Sequence, residues 1–489
     1  MINAKRSMGS LFLLAAAAYG VFSQGPKKGT DPVPSQEVQN IINETYSLDA
    51  EYAIDILLKI VSSGKLPDGK WQKKLLAESF RRLDEVQQPA GQRLILTGIE
   101  VDNRQLRLSE AFERKLDALS LRSEILRQTL KTDTREARRL AFETGFVPAA
   151  KTLSCEDALA DDFGPFYEIV ADIAKTSFSP AEIKGQARLL ALLPFIESMT
   201  TFSQIAPVGK MIVSIGAAKE ELNPLLLAYG SAIKGMRASD REFSGFLWSY
   251  DWIREFMSVL KVCEGSGIQC SFLKDTLGNF IVRNFRSERC ADNRETYREY
   301  APGLIGYLNS AVFTGAPIKN VDLRPASIGK AAKLDFYGES AGAKRISEKY
   351  RTLNWKDPAG GEAEYSAEEK RAPEWMEKFE RLFDQLEEWT GDGEKDAAAY
   401  FHQKCIFYTM LYETAPPGNP QAKVLRAFGN FVSSHPIKNT SRIEWFLWAE
   451  NYMRTVENDP GLKSELLENS KDPVIRLYAV LNANGLKQR

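Results

Sequence analysis

The chain has 489 residues, with 64 Lys+Arg against 65 Asp+Glu and a hydrophobic fraction of 44%, enough apolar material for a sizeable core. Charges so evenly balanced over this length give no electrostatic footprint for nucleic acid or an anionic membrane surface. Histidine occurs only as His402 and His435, which excludes most histidine-based acid–base or metal chemistry; no cofactor motif is present and no cofactor is expected.

The chain opens MINAKRSMGSLFLLAAAAYGVFSQ. Lys5 and Arg6 precede an apolar run from Met8 to Phe22, and Val21 and Ser23 suit the small positions of a signal-peptidase site. A secretory leader over 1–23, cleaved before Gln24, is expected, with an uncleaved anchor as the alternative. The run is short for a membrane span, which needs about 20 apolar residues, and no later stretch is long and apolar enough. After cleavage the chain is expected to be secreted or periplasmic, with no membrane insertion. A polar, proline-punctuated lead-in follows over 24–34.

From residue 35 onward apolar residues recur at three- and four-residue spacing, and alternating runs are scarce. The expected fold class is all-α, with antiparallel helix hairpins packed as an α-solenoid-like array or as two helical blocks. Asp49 marks the start of a helix through Ile60, with Ala53, Ile54, Leu57 and Leu58 on its buried face and Gly64 past its end. Asp49, Ala53 and Leu57 recur in type as Asp133, Ala137 and Ala141. That spacing resembles the second helix of a tetratricopeptide-type hairpin, without the family's full Trp, Gly, Tyr and Pro set. The resemblance implies stacked helix pairs presenting a groove to a protein or peptide.

A longer internal similarity joins two regions. Ala228-Tyr229-Gly230-Ser231 with Ile233 matches Ala427-Phe428-Gly429-Asn430 with Val432. Downstream, Phe246-Leu247-Trp248 with Trp252-Ile253-Arg254 matches Phe446-Leu447-Trp448 with Tyr452-Met453-Arg454, and Pro224 and Pro420 precede both. The Ala-aromatic-Gly element gives a helix a thin spot where a neighbour can approach, and the second element packs an aromatic stripe with an arginine at its polar edge.

Three of the five cysteines fall in CEGSGIQCSFLKDTLGNFIVRNFRSERC, residues 263–290. Export favours oxidised cysteines, and an odd count leaves one unpaired. Cys263 and Cys270 flank a turn at Gly265-Ser266-Gly267 between two helices, where a disulfide fits. Cys290 lies beyond the far end of the second helix and is expected to be free or paired with Cys155 or Cys405. A metal site is not expected: His402 and Cys405 share a helical face, but Cys263, Cys270 and Cys290 lack the close pairing of zinc ligands.

Between 314 and 372 the chain turns rich in Gly, Pro and Asn, and a linker with little regular structure is expected there, dividing a helical block over 35–313 from one over 373–489. Inside it, Gly338-Glu339-Ser340-Ala341-Gly342 resembles the nucleophile elbow of carboxylesterases in the α/β-hydrolase family. That resemblance implies Ser340 as nucleophile, His402 or His435 as base, and an acid such as Asp384 or Asp392. The alternating strands and helices and the HGGG-type oxyanion loop of that family are missing.

Pro373, then Trp375, Phe379, Leu382, Leu386 and Trp389 at helical spacing, then Gly391, define an amphipathic helix whose stripe is read as core. An all-α, aromatic-rich exported chain also suits an α/α-toroid carbohydrate-active enzyme, for which Asp251, between Tyr250 and Trp252, is the candidate acid. The leading expectation is an exported helical binding or scaffold protein, not an enzyme, with a protein or peptide partner.

Overall fold

A computed structural model describes residues 33–96, 103–247, 251–313, 317–318, 325–336, 340–355, 365–391, 397–435 and 441–485. The expected leader, nearly all of the lead-in, and Gly338, Glu339 and Asp392 lie outside these residues. Helices account for almost all regular structure, from Gln36–Thr45 to Pro473–Ala483. One small antiparallel ribbon joins Gln92–Leu94 to Leu159–Asp161, with Arg93 opposite Ala160. The fold class is all-α, and no described helix is long and apolar enough to cross a membrane.

Local rules explain the best-formed helices. Helix Ala50–Ser62 buries Tyr52, Ala53, Ile54, Ile56, Leu57, Leu58 and Ile60 almost completely, and its polar face is covered as well, with Glu51 and Asp55 buried; a helix enclosed on nearly every side lies at the centre of a lobe. Gly64 follows in the left-handed conformation at φ +72°, which a residue without Cβ adopts at least cost. Asp49 stands at the N-cap position, its carbonyl accepting from the Ala53 amide at 3.0 Å, but its side chain makes no capping hydrogen bond; the carboxylate meets Arg442 at 2.9 Å instead. Asp133 does cap, accepting from the Glu136 amide at 3.0 Å. Helix Pro373–Glu388 buries Trp375, Phe379, Leu382 and Leu386 as one stripe.

The described residues from Pro34 onward belong to one compact unit containing two hydrophobic cores. The first combines residues from Val38 to Ile125 with residues from Ala343 to Leu481. The second draws on Ala90 to Ile318. The expected division at 314–372 therefore does not separate the cores: the amino-terminal helices pack with the carboxy-terminal ones. Polar contacts mark this seam. Tyr52 donates to the Arg442 carbonyl at 2.7 Å, Tyr478 donates to Asp55 at 2.6 Å, and Arg442 pairs with buried Glu51 at 3.1 Å. Contact between the first and last helices differs from a solenoid, in which each repeat touches only its neighbours.

The segment expected to be irregular contains helix Ala341–Asn354, which supplies Ala343, Ile346 and Leu353 to the first core. Its stripe sits between Gly/Pro-rich flanks that mask it in sequence. The two glycines of the internal repeat are both closely approached. A Cβ on Gly230 would stand 3.0 Å from the Phe272 ring, and one on Gly429 would overlap the Tyr452 hydroxyl. The intruding residues come from different places in the repeat, so the two copies pack differently. Arg254 and Arg454 are both exposed, while the aromatic residues Trp252 and Tyr452 are buried.

Cys263 and Cys270 are disulfide-bonded, with Cα atoms 6.1 Å apart, and link helices Asp251–Gly265 and Ser271–Arg286. Cys155 and Cys290 form a second disulfide, Cα atoms 5.2 Å apart, across 135 positions of sequence. Cys405 is a buried free thiol. Two disulfides suit an extracellular chain.

Candidate functional site

Ser340 is the N-cap of helix Ala341–Asn354; its hydroxyl accepts from the Ala343 amide at 3.1 Å and bonds to neither imidazole. The feature that resembles an elbow, a serine at a helix start, is accounted for by capping. His402 is fully buried, its Nδ1 accepting from the Trp448 indole at 2.5 Å and its Nε2 lying 3.6 Å from Glu444. His435 stacks on Phe401 at 4.2 Å, and burial, helped by nearby His402, pushes its imidazole down to about 4. Asp384 is an exposed carboxylate 3.9 Å from Lys423. Among the described residues Ser340, the imidazoles and Asp384 do not bond to one another.

What surrounds His402 is a charge cluster centred on Glu444, in helix Arg442–Glu457. One carboxylate oxygen closes a capping box, taking the Ser441 hydroxyl at 2.8 Å and amide at 3.2 Å; the other receives Arg104 Nε at 3.1 Å. Burial pushes the carboxyl up, but His402 close beside it and the hydrogen bond from Arg104 outweigh it and hold Glu444 at about 2. Among the described residues no group of His, Cys, Asp and Glu could hold a metal ion. Burial raises the Cys405 thiol well above its ordinary range, so it is an inert protonated group.

A second polar centre sits at the start of helix Asp240–Leu247, where four consecutive residues each hold different segments. Ser239 donates to the Leu153 carbonyl at 2.9 Å. Asp240 accepts from the Cys290 amide at 2.8 Å and from Asn293 at 3.2 Å. Arg241 donates to the Cys155 carbonyl and pairs with Asp292 at 2.8 Å. Glu242 accepts from the Leu153 amide at 2.9 Å and from the Phe202 amide at 2.7 Å. The Cys155–Cys290 disulfide joins segments that Arg241 and Asp240 already hold. The Ser-x-x-Glu spacing of residues 239–242 is the only sequence signal here, and it announces a helix cap, not a junction.

Two clefts among the described residues bear on a site, and this junction flanks the larger of them. Helices Ala187–Glu197 and Lys219–Gly235 lie side by side, their first turns pinned by the buried Arg188–Glu221 pair. Beyond that pin they border a cleft of about 840 Å³. Leu193, Pro224, Leu227, Ala228, Ala232 and Met236 give it an apolar lining, with Leu227 47% exposed. Five polar side chains also line it: Thr152, Glu197, Thr200, Ser231 and Arg237. None of the five has a hydrogen-bond or ion-pair partner among the described residues. The sequence reading did not find this cleft; small residues at Ala228, Ser231, Ala232 and Gly235 are its one trace.

The smaller cleft, about 440 Å³, holds Asp162, Glu168, Asp172 and Glu255 near Trp252. Asp251 opens the adjoining helix Asp251–Gly265, and its side chain lies outside the described set. Trp252 is only 2% exposed and packs edge-on against Phe202 at 5.4 Å, so its face is closed to the stacking a sugar requires. No protein-family model, curated protein or solved structure matches the chain.

Proposed function

We propose that the chain is an exported helical binding protein and that the cleft between helices Ala187–Glu197 and Lys219–Gly235 takes a short segment of a protein or peptide partner. The observation that carries this reading is an open apolar lining bordered by five exposed polar residues whose side chains have no protein partners among the described residues. A cleft of this size lies in the roughly 300–1,000 Å³ range of ligand sites, where apolar walls supply affinity and a few polar groups fix orientation. Arg237 suits a carboxylate of the bound segment and Glu197 a cation, while the hydroxyls serve backbone groups. The two disulfides support a setting outside the reducing cytosol.

The test is selection of a displayed peptide library on the chain without residues 1–23, followed by titration of enriched peptides against Ser231→Trp. Ser231 is exposed on the cleft, so the indole fills the space without entering the core. The expected result is enrichment, with affinity falling by roughly tenfold or more in the variant, the loss of one well-buried contact. No enrichment, or peptides that bind the variant equally well, overturns the reading.

A further inference from the structure

We propose that Glu242 is a positioning residue of this cleft, joining through one buried carboxylate two stretches that continue into its lining, the 150–153 wall and the 199–202 wall, and that loss of its negative charge loosens the cleft while the fold persists. The inference rests on reading the cleft as the binding site. One wall carries Thr152, next to Leu153, whose amide is held by Oε1 of Glu242. The other carries Met199 and Thr200, just before Phe202, whose amide is held by Oε2. No other side chain bonds to both of these amides.

The glutamate is free to do this because its capping role is taken over. In a capping box the glutamate reaches back to the N-cap amide, as Glu182 does to Ser179 and Glu444 to Ser441. Here the Ser239 amide donates to Asn284 at 3.1 Å, and the Ser239 hydroxyl still accepts from the Glu242 amide at 3.3 Å. The carboxylate therefore points across the gap between the walls.

Among the described residues no cation pairs with its carboxylate. On its own helix Arg241 is committed to Asp292 and Cys155. From the 150–157 segment Lys151 is engaged by Asp157 at 2.7 Å. Burial first, then Asp161 and Asp157, raise the Glu242 carboxyl above its ordinary range. Neutral, it keeps one good acceptor oxygen; the other becomes a hydroxyl facing an N–H, and one wall loses its tether.

Amide hydrogen exchange on the full mature chain, from pH 7 to pH 5 and corrected for intrinsic rates, tests this. In Glu242→Gln, where an amide NH2 faces an N–H, the Leu153 or Phe202 amide is expected to lose about five- to tenfold of its protection at every pH, the worth of one net hydrogen bond. In the wild type the same loss is expected only on acidification, in step with titration of the Glu242 carboxyl followed by carbon NMR. Glu182→Gln serves as the control that leaves both amides protected. Protection unchanged in Glu242→Gln, or a wild-type profile flat while the carboxyl titrates, overturns the proposal. The wild-type series decides the matter even if Glu242→Gln does not fold. Loosened walls with unaltered binding of cleft-selected peptides uphold the joint and overturn the binding reading instead.

Discussion

Glu444 and Glu242 occupy the same place in the same four-residue motif, three positions after a serine at a helix start, yet their environments drive them in opposite directions. Glu444 is buried with Arg104 and His402 beside it and stays ionised down to about pH 2. Glu242 is buried with Asp157 and Asp161 near it and is raised. Local sequence sets where a carboxylate starts; residues tens to hundreds of positions away decide its charge. A cation makes one a fixed structural anion, and the lack of one leaves the other poised to change.

The comparison is broken most severely by removing the covalent brace that only the Glu242 region has. Replacing Cys155 and Cys290 together by serine releases a loop of 135 positions, and the chain-entropy relation gives a loss of about 5 kcal/mol. Urea unfolding of oxidised wild type against the double variant measures it, and peptides captured at the cleft should weaken in the same variant, since Cys155 anchors the chain three positions beyond cleft-lining Thr152.

Next in size is Glu444→Gln, which leaves Arg104 and His402 facing a neutral group. Breaking a buried ion pair from one side costs about 3 kcal/mol. The sign with pH follows from the depressed carboxyl: its contribution is full above the ordinary value of 4.5 and is lost as pH falls towards 2. The stability gap between wild type and variant, read from urea curves, should therefore close below pH 4.

Glu242→Gln sharpens the contrast at smaller amplitude, about 1 kcal/mol, and with the opposite slope. A raised carboxyl means the folded state holds the proton more tightly than the unfolded chain. Wild type should gain stability relative to this variant as pH falls through the range just above that of ordinary carboxylates. Parallel slopes for the two glutamate variants would show that their environments do not differ as described.

Much of this molecule is legible where cause and effect lie close in sequence. The stripe from Trp375 to Leu386, the Gly64 stop and the turn between Cys263 and Cys270 each follow from residues within one or two helical turns. Ser340 shows the limit of such reading, because a serine at a helix start looks alike whether it caps or attacks; only the position of an imidazole separates the two. Helix Ala341–Asn354 was hidden by its flanks, since composition over a window averages a short apolar stripe with the glycines around it. The Glu242 joint was not readable at all. Its partners sit at 153, 202 and 284, and no local pattern records that Asn284 relieves the glutamate of its cap.

The first core is assembled from both ends of the chain, which has a consequence for the order of events as the protein is made. Helix Ala50–Ser62 leaves the ribosome early, with a wide apolar face from Tyr52 to Val61, and its partners around Trp445, Trp448 and Tyr478 are synthesised last. Residues 90–318, with both disulfides, supply a core of their own in the meantime. Long-range closure of this kind slows folding and leaves the early helix exposed until the end. On the proposed export of the chain that delay would be an asset, because a segment unable to bury itself stays open to machinery that threads unfolded protein across a membrane.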